Sequence, residues 1–558
     1  MTVAATAVES GQSAFSEPAR TSSIERVLRS KPAVATIVLV GLSLRAWAFA
    51  ASSSLGLDEI LLSRNILGLP LRQLLTEPLR LDQVAPRGFL LLEKLAVFVL
   101  GPGELSLRLI SFGAGIVGLL LFRRLALGSL EGLAGPFALA LFAVGVPFLR
   151  FGAEVKQYEM DATAAVLLLL FALDLRARDT SVRQRLAIGI SGLVIVWFSQ
   201  PSVVMMAGIG LAFALAWLVA RDRRAKGALL VTLPLWTAAC ALATAAGFRS
   251  MTPSTKAFMN AFWGRGFMPM HPVAALQWFP RQALSIFADP ALLRYPLPGL
   301  FLAACVVGFV ALWRERREVA GILLGPVLTA LIAAITHQYP FDGRLLIYLL
   351  PVILLALAAG AQWIARAATR LHPAAGASVW IALLLPPLSA VLQTPPPYVV
   401  EHTQAVLSYL QQHRQTGDAI HVFPLQRIGL LFYGPRYQLS PADWTTASCD
   451  ANDTRTYLRD LERYRGTRRL WVYSAAARPF RTASAAVQDY LGTIGTRRDS
   501  LELPSLIFGS SRLELYDLSD PARLAATSAD AFGVQPMPTD PRPGCRPWTS
   551  PSALDSFP

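Results

Sequence analysis

Charged residues and cysteines are scarce in this chain, and both scarcities narrow the class of protein it belongs to. Only 16% of the 558 residues are Asp, Glu, Lys or Arg, whereas 54% are hydrophobic. A soluble protein of several domains is excluded by this balance. What the chain has instead is a series of long apolar segments, which predict a polytopic membrane protein.

The cysteines give no sign of a structural zinc site. The four cysteines show no zinc-type spacing. Cys240 and Cys305 lie inside apolar stretches, where we expect them to pack as small hydrophobic side chains. Cys449 and Cys545 lie in the polar C-terminal part, and if that part is exported they could form one disulfide.

Eleven apolar segments are long enough to be read as membrane spans. Arginine clusters occupy every second connection between them, so the formal net charge of +15 indicates membrane topology and not a nucleic-acid partner. The positive-inside rule then predicts a multi-pass protein of the plasma (inner) membrane, with a cytoplasmic N-terminus and an extracytoplasmic C-terminus. The predicted spans are 33–51, 105–122, 133–150, 161–175, 186–200, 202–220, 228–247, 298–313, 319–336, 344–362 and 377–393.

The segment 88–100 is apolar but short, and it contains Glu93 and Lys94. Counting it as a span would invert every later loop. We therefore interpret it as a juxtamembrane or re-entrant helix on the outer side.

The predicted organisation has four parts. Residues 1–32 form a disordered cytoplasmic tail and residues 33–395 a transmembrane domain. Residues 396–534 form a small extracytoplasmic α/β domain, since helix-like and β-rich runs alternate there. This domain has no phosphate-cradling glycine motif, so no catalytic role is assigned to it. The Pro-rich segment 535–558 is expected to be irregular. The transmembrane domain has outer loops at 52–104, 248–297 and 337–344.

Adjacent carboxylates, Asp58 and Glu59, follow the first span directly. Acidic side chains are costly near a bilayer, about 2.5 to 3.5 kcal/mol each at its centre. Their presence indicates a water-lined working site. The alternative is an ordinary interfacial acidic pair at the start of an outer helix.

Two further outer junctions carry polar clusters. Glu154, Tyr158 and Asp161 are spaced to share one helix face, with Lys156 adjacent, although a snorkelling lysine explains Lys156 equally well. The turn HQYPFDGR supplies a possible anion clamp, since a guanidinium binds phosphate oxygens well. The alternative to an anion clamp is an ordinary turn whose arginine extends along the membrane surface into water. The residues of this turn are His337, Tyr339, Asp342 and Arg344.

The outer loop 248–297 is rich in aromatic residues, which is typical of an interfacial belt and also of sugar and lipid sites. His271 in this loop is a weak candidate for a ligand or an acid.

Taken in order, these pieces resemble the GT-C superfamily of polytopic glycosyltransferases, in particular its protein O-mannosyltransferase and aminoarabinose-transferase branch. The resemblance covers about residues 33 to 365. The motifs that carry it are LDEILLSRN, APRGFLLLEKLAVFVLGPGELSLRL, AEVKQYEMDA, FSQPSV and YPFDGRLLIYLLP.

The resemblance implies a polyprenyl-phosphate sugar donor, an acceptor hydroxyl on a protein, lipid or glycan, and direct inverting transfer. Asp58 would be the catalytic base, with Glu59 beside it positioning the acceptor or the base. Near the APRGFLLLEK segment, the resemblance makes Arg87 a candidate for the donor phosphate. From the residues themselves we expect Lys94, Lys156 and Arg344 to bind the phosphate with Arg87. By the same reading, the predicted substrate-binding residues are Glu154, Tyr158, Asp161, His271, His337 and Tyr339. No cofactor is certain; a divalent metal is possible because some members bind one, and the sequence shows no convincing ligand set.

Two other classes stay open from sequence. One is a transporter or flippase of lipid-linked sugars, which would favour ionisable residues near mid-membrane and internal repeats. The other is a non-catalytic envelope assembly protein that binds through its C-terminal domain. Neither the sugar nor the acceptor can be identified from the residues.

Overall fold

The computed structural model describes residues 23–51, 54–177, 179–289, 292–449, 453–475, 481–505 and 509–534. Helices dominate this part of the chain. The first nine are α1 (Ser23–Leu28), α2 (Lys31–Ala50), α3 (Leu57–Gly68), α4 (Leu71–Thr76), α5 (Arg87–Leu100), α6 (Glu104–Ser129), α7 (Ala134–Val144), α8 (Val146–Phe151) and α9 (Tyr158–Ala177).

The second set completes the apolar part of the chain. Its helices are α10 (Val182–Ile195), α11 (Ser202–Ala220), α12 (Arg223–Arg249), α13 (Pro253–Phe262), α14 (Pro272–Ala288), α15 (Pro298–Glu315), α16 (Arg317–Ile335), α17 (Leu350–Thr369) and α18 (Pro373–Gln393). A 3-10 stretch, Gly343–Leu349, leads directly into α17.

Eight described segments are helical, long and apolar enough to cross a membrane, and each coincides with a predicted span. The protein is therefore a polytopic helical membrane protein. They are Lys31–Ala50, Glu104–Ser129, Ser202–Ala220, Arg223–Gly247, Pro298–Glu315, Arg317–Ile335, Gly343–Thr369 and Pro373–Gln393.

The other three predicted spans are also helical but shorter, interrupted or more polar. The segment 133–150 is divided between α7 and α8, which meet at Gly145 with Pro147 just beyond it. Helix α10 has only 14 residues. Helix α9 is more polar, since it begins with Tyr158, Glu159 and Asp161 and carries charged residues near its other end. The count of eleven spans stays a prediction.

Close helix contacts depend on glycine. A Cβ atom added to Gly308 of α15 would lie 1.8 Å from the carbonyl oxygen of Ala356 in α17. A Cβ on Gly360 of α17 would lie at the same distance from the Ala304 oxygen in α15. Small residues let these two backbones touch, as is usual where lipid gives no hydrophobic drive for association.

The C-terminal part is a small α/β domain, as its alternating pattern predicted. Its sheet has the strand order β2-β1-β3-β5-β4, with β1 parallel to β2 and β3, and β5 antiparallel to β3 and β4. The strands are β1 (Ala419–Val422), β2 (Thr445–Thr446), β3 (Leu470–Ala475), β4 (Thr496–Pro504) and β5 (Ser510–Asp517). The helices are α19 (Thr403–His413), α20 (Gln426–Tyr433), α21 (Thr454–Leu461), α22 (Arg481–Ile494) and α23 (Pro521–Leu524).

This domain shares a hydrophobic core with segment 52–104, the first of the predicted outer loops. Leu61 and Leu62 of α3 and Phe89 of α5 belong to the same buried cluster as Val406 of α19 and Trp471 of β3. The cluster fixes α3 between the membrane helices and the domain, and α3 carries the two adjacent carboxylates.

Cys240 and Cys305 are free thiols, and Cys449 is disulfide-bonded. Cys545, its predicted partner, lies outside the described residues. The predicted tails also lie largely outside them, at 1–22 and 535–558.

Candidate active site

Helix α3 begins in a way that separates its two adjacent acids. Gly56 is the N-cap, and the Glu59 side chain reaches back so that its Oε2 accepts the Gly56 amide at 2.8 Å. Glu59 Oε1 also accepts the Val155 amide at 2.9 Å. Arg108 of α6 donates from Nε and Nη2 to the two Glu59 oxygens, each at 3.2 Å. Glu59 is therefore buried with both oxygens occupied, and it braces the helix start.

Asp58, the preceding residue, faces the other way. Its side chain is 40% exposed, and Arg344 Nη2 donates to its Oδ2 at 2.5 Å. The two residues are 286 positions apart in sequence. Arg344 is the last residue of the HQYPFDGR turn and lies in the 3-10 stretch Gly343–Leu349, so two of the three polar motifs meet at this ion pair.

Aromatic rings flank the Arg344 guanidinium. Its Cζ lies 5.5 Å from the ring centroid of Tyr158 and 5.5 Å from that of Trp263. Tyr158 opens α9, and Trp263 follows α13 in the aromatic outer loop. Cation–π contacts of this kind hold a guanidinium in place while leaving its N–H groups available for an anion.

Lys156 adds a second cation. It is buried, and its Nζ donates to Gln83 Oε1 at 2.9 Å. Asp58 and Arg344 both act on it electrostatically, and its pKa is lowered by burial. A buried ammonium with an amide oxygen as its partner, close to a carboxylate and a guanidinium, is suited to receive negative charge.

All three acids of the AEVKQYEMDA motif are buried, and two of them, Glu154 and Asp161, were predicted to bind substrate. Glu154 accepts from Arg150 Nε at 2.6 Å, and burial raises the pKa of Glu154. Asp161 is 6% exposed, and its Oδ1 has no hydrogen-bond partner among the described residues. The phenols of Tyr339 and Tyr348 lie within electrostatic reach of Asp161. Glu154 is therefore held in an ion pair, whereas Asp161 Oδ1 is available to accept a hydrogen bond from a substrate.

Two cations expected at the donor phosphate are held by backbone instead. Arg87 donates from Nη1 and Nη2 to the carbonyls of Leu74 and Glu77, both at 2.6 Å. Lys94 Nζ donates to the carbonyls of Ile66 and Leu69 at 2.6 and 2.9 Å, where α3 ends. Both side chains fold the first outer loop onto α5.

Of the two candidate histidines, His337 contacts the aromatic loop 248–297. His337 Nε2 lies 2.9 Å from the Met268 carbonyl, and the His337 ring stacks on Phe267 with centroids 5.1 Å apart. His271 is exposed at the N-cap of α14. Tyr339 donates from its hydroxyl to the Leu345 carbonyl at 3.2 Å.

Sequence reasoning missed Glu401. This residue lies between α18 and α19, is 8% exposed, and its Oε1 accepts the Leu57 amide at 3.3 Å. Leu57 immediately precedes Asp58. Nothing in the sequence around Glu401 marks it, because its partners are more than 340 positions away.

Some members of the superfamily that the motifs resemble bind a divalent metal. In the part of the chain that the structure describes, no group of three or more His, Cys, Asp and Glu side chains could hold a metal ion. The described residues therefore do not fit such a site.

Comparison with known proteins gave structural likenesses only. No protein-family model matches the chain, and no curated protein sequence does. Among solved structures, the chain is similar to ArnT from Cupriavidus metallidurans, with 12% identity over 87% of this chain and 98% of that one and a TM-score of 0.46. ArnT has also been solved bound to undecaprenyl phosphate.

Two archaeal structures from Archaeoglobus fulgidus are also similar. The oligosaccharyltransferase in complex with zinc and sulfate has 13% identity over 81% of this chain and 68% of that one, with a TM-score of 0.44. AglB, in complex with an inhibitory peptide and a dolichol-phosphate, has 12% identity over 93% and 77%, with a TM-score of 0.41. With TM-scores below 0.5, function has to be argued from the side chains of this chain.

Proposed function

We propose that this protein is a membrane glycosyltransferase that moves a sugar from a polyprenyl-phosphate donor to an acceptor hydroxyl at the outer face of the membrane. The observation that carries the proposal is the half-exposed Asp58 carboxylate paired with Arg344, beside the buried ammonium of Lys156. A base and two cations then lie at the start of a helix just beyond the first membrane span. A lipid-linked donor suits this position, since its tail would stay in the bilayer while its head group enters the site.

The reaction needs one base and a means of stabilising the leaving phosphate. The acceptor oxygen attacks the anomeric carbon, and Asp58 takes the hydroxyl proton as the new C–O bond forms. The bond from the anomeric carbon to the phosphate oxygen breaks, and its electron pair leaves with the polyprenyl phosphate. Arg344 and Lys156 stabilise that charge. A single displacement with one protein base inverts the anomeric centre, unlike the two-carboxylate chemistry of retaining hydrolysis.

The proposed roles differ in part from those predicted from the sequence. Glu59 acts as a brace, because Arg108 and two backbone amides occupy its oxygens. Arg87 and Lys94 are left out of the phosphate clamp, since backbone carbonyls hold both. Around the clamp, Tyr158 and Trp263 offer ring faces for the sugar. Asp161 and Tyr339 are proposed as substrate contacts deeper in the cluster.

The test uses the purified full-length protein in lipid nanodiscs with a panel of undecaprenyl-phosphate sugars. We expect release of undecaprenyl phosphate with at least one sugar. Mass spectrometry of envelope glycans from a deletion strain identifies the acceptor. Movement of the donor across proteoliposomes without transfer would favour a transporter, and binding without either would favour an assembly protein.

Asp58→Asn ties the activity to the site. We expect a loss of about 10² to 10⁴ in transfer rate, because a positioned base contributes about that much. Glu77→Gln, which changes an exposed acid of the same outer loop, is the matched control and should keep the wild-type rate. A wild-type rate in Asp58→Asn would remove Asp58 from the mechanism.

A further inference from the structure

The C-terminal domain holds the segment that leads into Asp58. The Leu55 amide donates to the Tyr433 hydroxyl at 2.8 Å, and the Gln404 amide donates to Ser54 Oγ at 2.9 Å. The Leu57 amide donates to Glu401. Three successive contacts therefore connect one domain to the residues just before the proposed base. None of them was expected from a domain to which sequence gave no catalytic role.

Glu401 differs from the other two contacts because it can carry charge. Asp58 and Glu59 of α3 act on it electrostatically, and Glu401 acts electrostatically on Tyr473 of β3. Burial, with the charges of Asp58 and Glu59 adding to it, raises the pKa of Glu401 to about 7.

We infer that Glu401 is a positioning residue for the proposed reaction, through which the C-terminal domain fixes the first turn of α3 and makes Asp58 a stronger base. The inference rests on the proposed function. An ionised Glu401 is a stronger acceptor for the Leu57 amide than a protonated one, and its negative charge makes proton uptake by Asp58 more favourable. Both effects are lost when Glu401 is protonated.

The wild-type protein should therefore show an inflection near pH 7 in kcat/KM, with activity falling as the pH is lowered through it. Glu401→Gln keeps an oxygen for the Leu57 amide but cannot ionise. We expect kcat above pH 7 to fall about tenfold, the KM for the donor to stay within about twofold, and the inflection near pH 7 to disappear. Asp489→Asn, a change to an exposed acid of the same domain, should leave the profile unchanged.

A merely structural role would give a different result. If Glu401→Gln kept the inflection near pH 7, with or without a loss of rate, the inference would be overturned while the proposed function stood. Glu401→Ala serves as a second variant. It removes the acceptor of the Leu57 amide as well as the charge, so its kcat should fall below that of Glu401→Gln.

A readout that needs no turnover separates this inference from the proposed function. Difference infrared spectra between pH 6 and pH 8 should show a protonated carboxyl band that is absent in Glu401→Gln. In Asp58→Asn the midpoint of that band should move to lower pH, because a neighbouring negative charge has been removed. An unmoved midpoint overturns the coupling between Glu401 and Asp58. Absence of sugar transfer by the wild-type protein, by contrast, overturns only the proposed function.

Discussion

The two ends of the membrane helices treat charge in opposite ways. At the arginine-rich end, which we call the basic end, Arg124 and Asp174 are 61% and 36% exposed, and Arg224 and Asp179 are 45% and 88% exposed. At the end that carries Asp58, which we call the acidic end, Arg108 and Glu59 are only 3% and 5% exposed. Arg150 and Glu154 are 4% and 9% exposed. Each end has an exception: Arg176 at the basic end is 8% exposed, and Arg265, which pairs with Asp342 at the acidic end, is 68% exposed.

This difference separates two uses of ion pairs. Exposed ion pairs contribute about 0 to 1 kcal/mol each to stability. The exposed arginines of the basic end therefore need only supply positive charge, and their exact partners matter little. Buried pairs cost several kcal/mol per ion in lost hydration and persist only with good geometry and further hydrogen bonds. The buried pairs of the acidic end have good geometry and further hydrogen bonds. They lie around Asp58, the one carboxylate of α3 that remains half-exposed.

Breaking the buried pair should have the largest effect. Arg108→Met leaves Glu59 buried without its cation, and we expect the protein to lose about 3 to 5 kcal/mol of stability. Thermal unfolding in detergent measures it. The double variant Arg108→Met with Glu59→Leu should recover part of the loss. A single variant as stable as wild type would contradict the idea that the acidic end depends on this pair.

Removing Arg344, the partly buried cation that pairs with Asp58 at the acidic end, should affect chemistry more than stability. We expect Arg344→Ala to lower the transfer rate by about 10² to 10³, which corresponds to about 2.7 to 4 kcal/mol of transition-state stabilisation. Arg224→Ala at the basic end is the control and should keep its rate. Equal rates for the two variants in the nanodisc assay would erase the distinction between the two ends.

The pH dependence of stability should have opposite signs at the two ends. The pKa of Glu401 is raised to about 7, so its contribution to stability is present below about pH 4.5 and is lost as the pH rises to 7. Relative to Glu401→Gln, the wild type should lose up to about 3 kcal/mol over that range. Unfolding temperatures at pH 5 and pH 8 test this, and parallel curves for the two proteins would refute it.

At the basic end, the hydrogen bond from Arg316 lowers the pKa of Glu131. Its contribution is present above about pH 4.5 and is lost on acidification, and it should be small because the side chain is 63% exposed. A wild-type protein that loses stability relative to Glu131→Gln as the pH rises would reverse the predicted sign.

The smallest effect is expected from an exposed pair of the basic end. Arg124→Ala should change the free energy of unfolding by about 0.2 to 1 kcal/mol, and added salt should reduce that difference. Denaturant titration at low and high salt measures it. A loss comparable to that of Arg108→Met would show that burial does not distinguish the two ends.

The sequence predicted the parts of this molecule that depend on local pattern. Hydropathy located the eight long helices, and alternating periodicity predicted the α/β character of the C-terminal domain. Asp58 and Arg344 were both singled out from their motifs, because a charge next to an apolar segment is costly enough to notice.

What the sequence could not supply was the partner of each side chain. Glu59 looks equivalent to Asp58 in sequence, and only the arrival of Arg108 and Val155 makes it a brace. Arg87 and Lys94 were assigned to phosphate, yet backbone carbonyls hold them, and no residue type predicts such a contact. Glu401 reaches α3 from more than 340 residues away, so neither its motif nor its spacing could reveal it.

The three contacts that the C-terminal domain makes with Ser54, Leu55 and Leu57 limit how this protein can be engineered. A truncation after α18 would keep all eight long apolar helices and every cation of the proposed clamp. It would also expose the buried core that α3 shares with the domain. The backbone segment 54–57, which positions Asp58, would lose its three contacts. Such a fragment would keep the membrane helices but would no longer hold Asp58 in position, so we expect it to lack transfer activity.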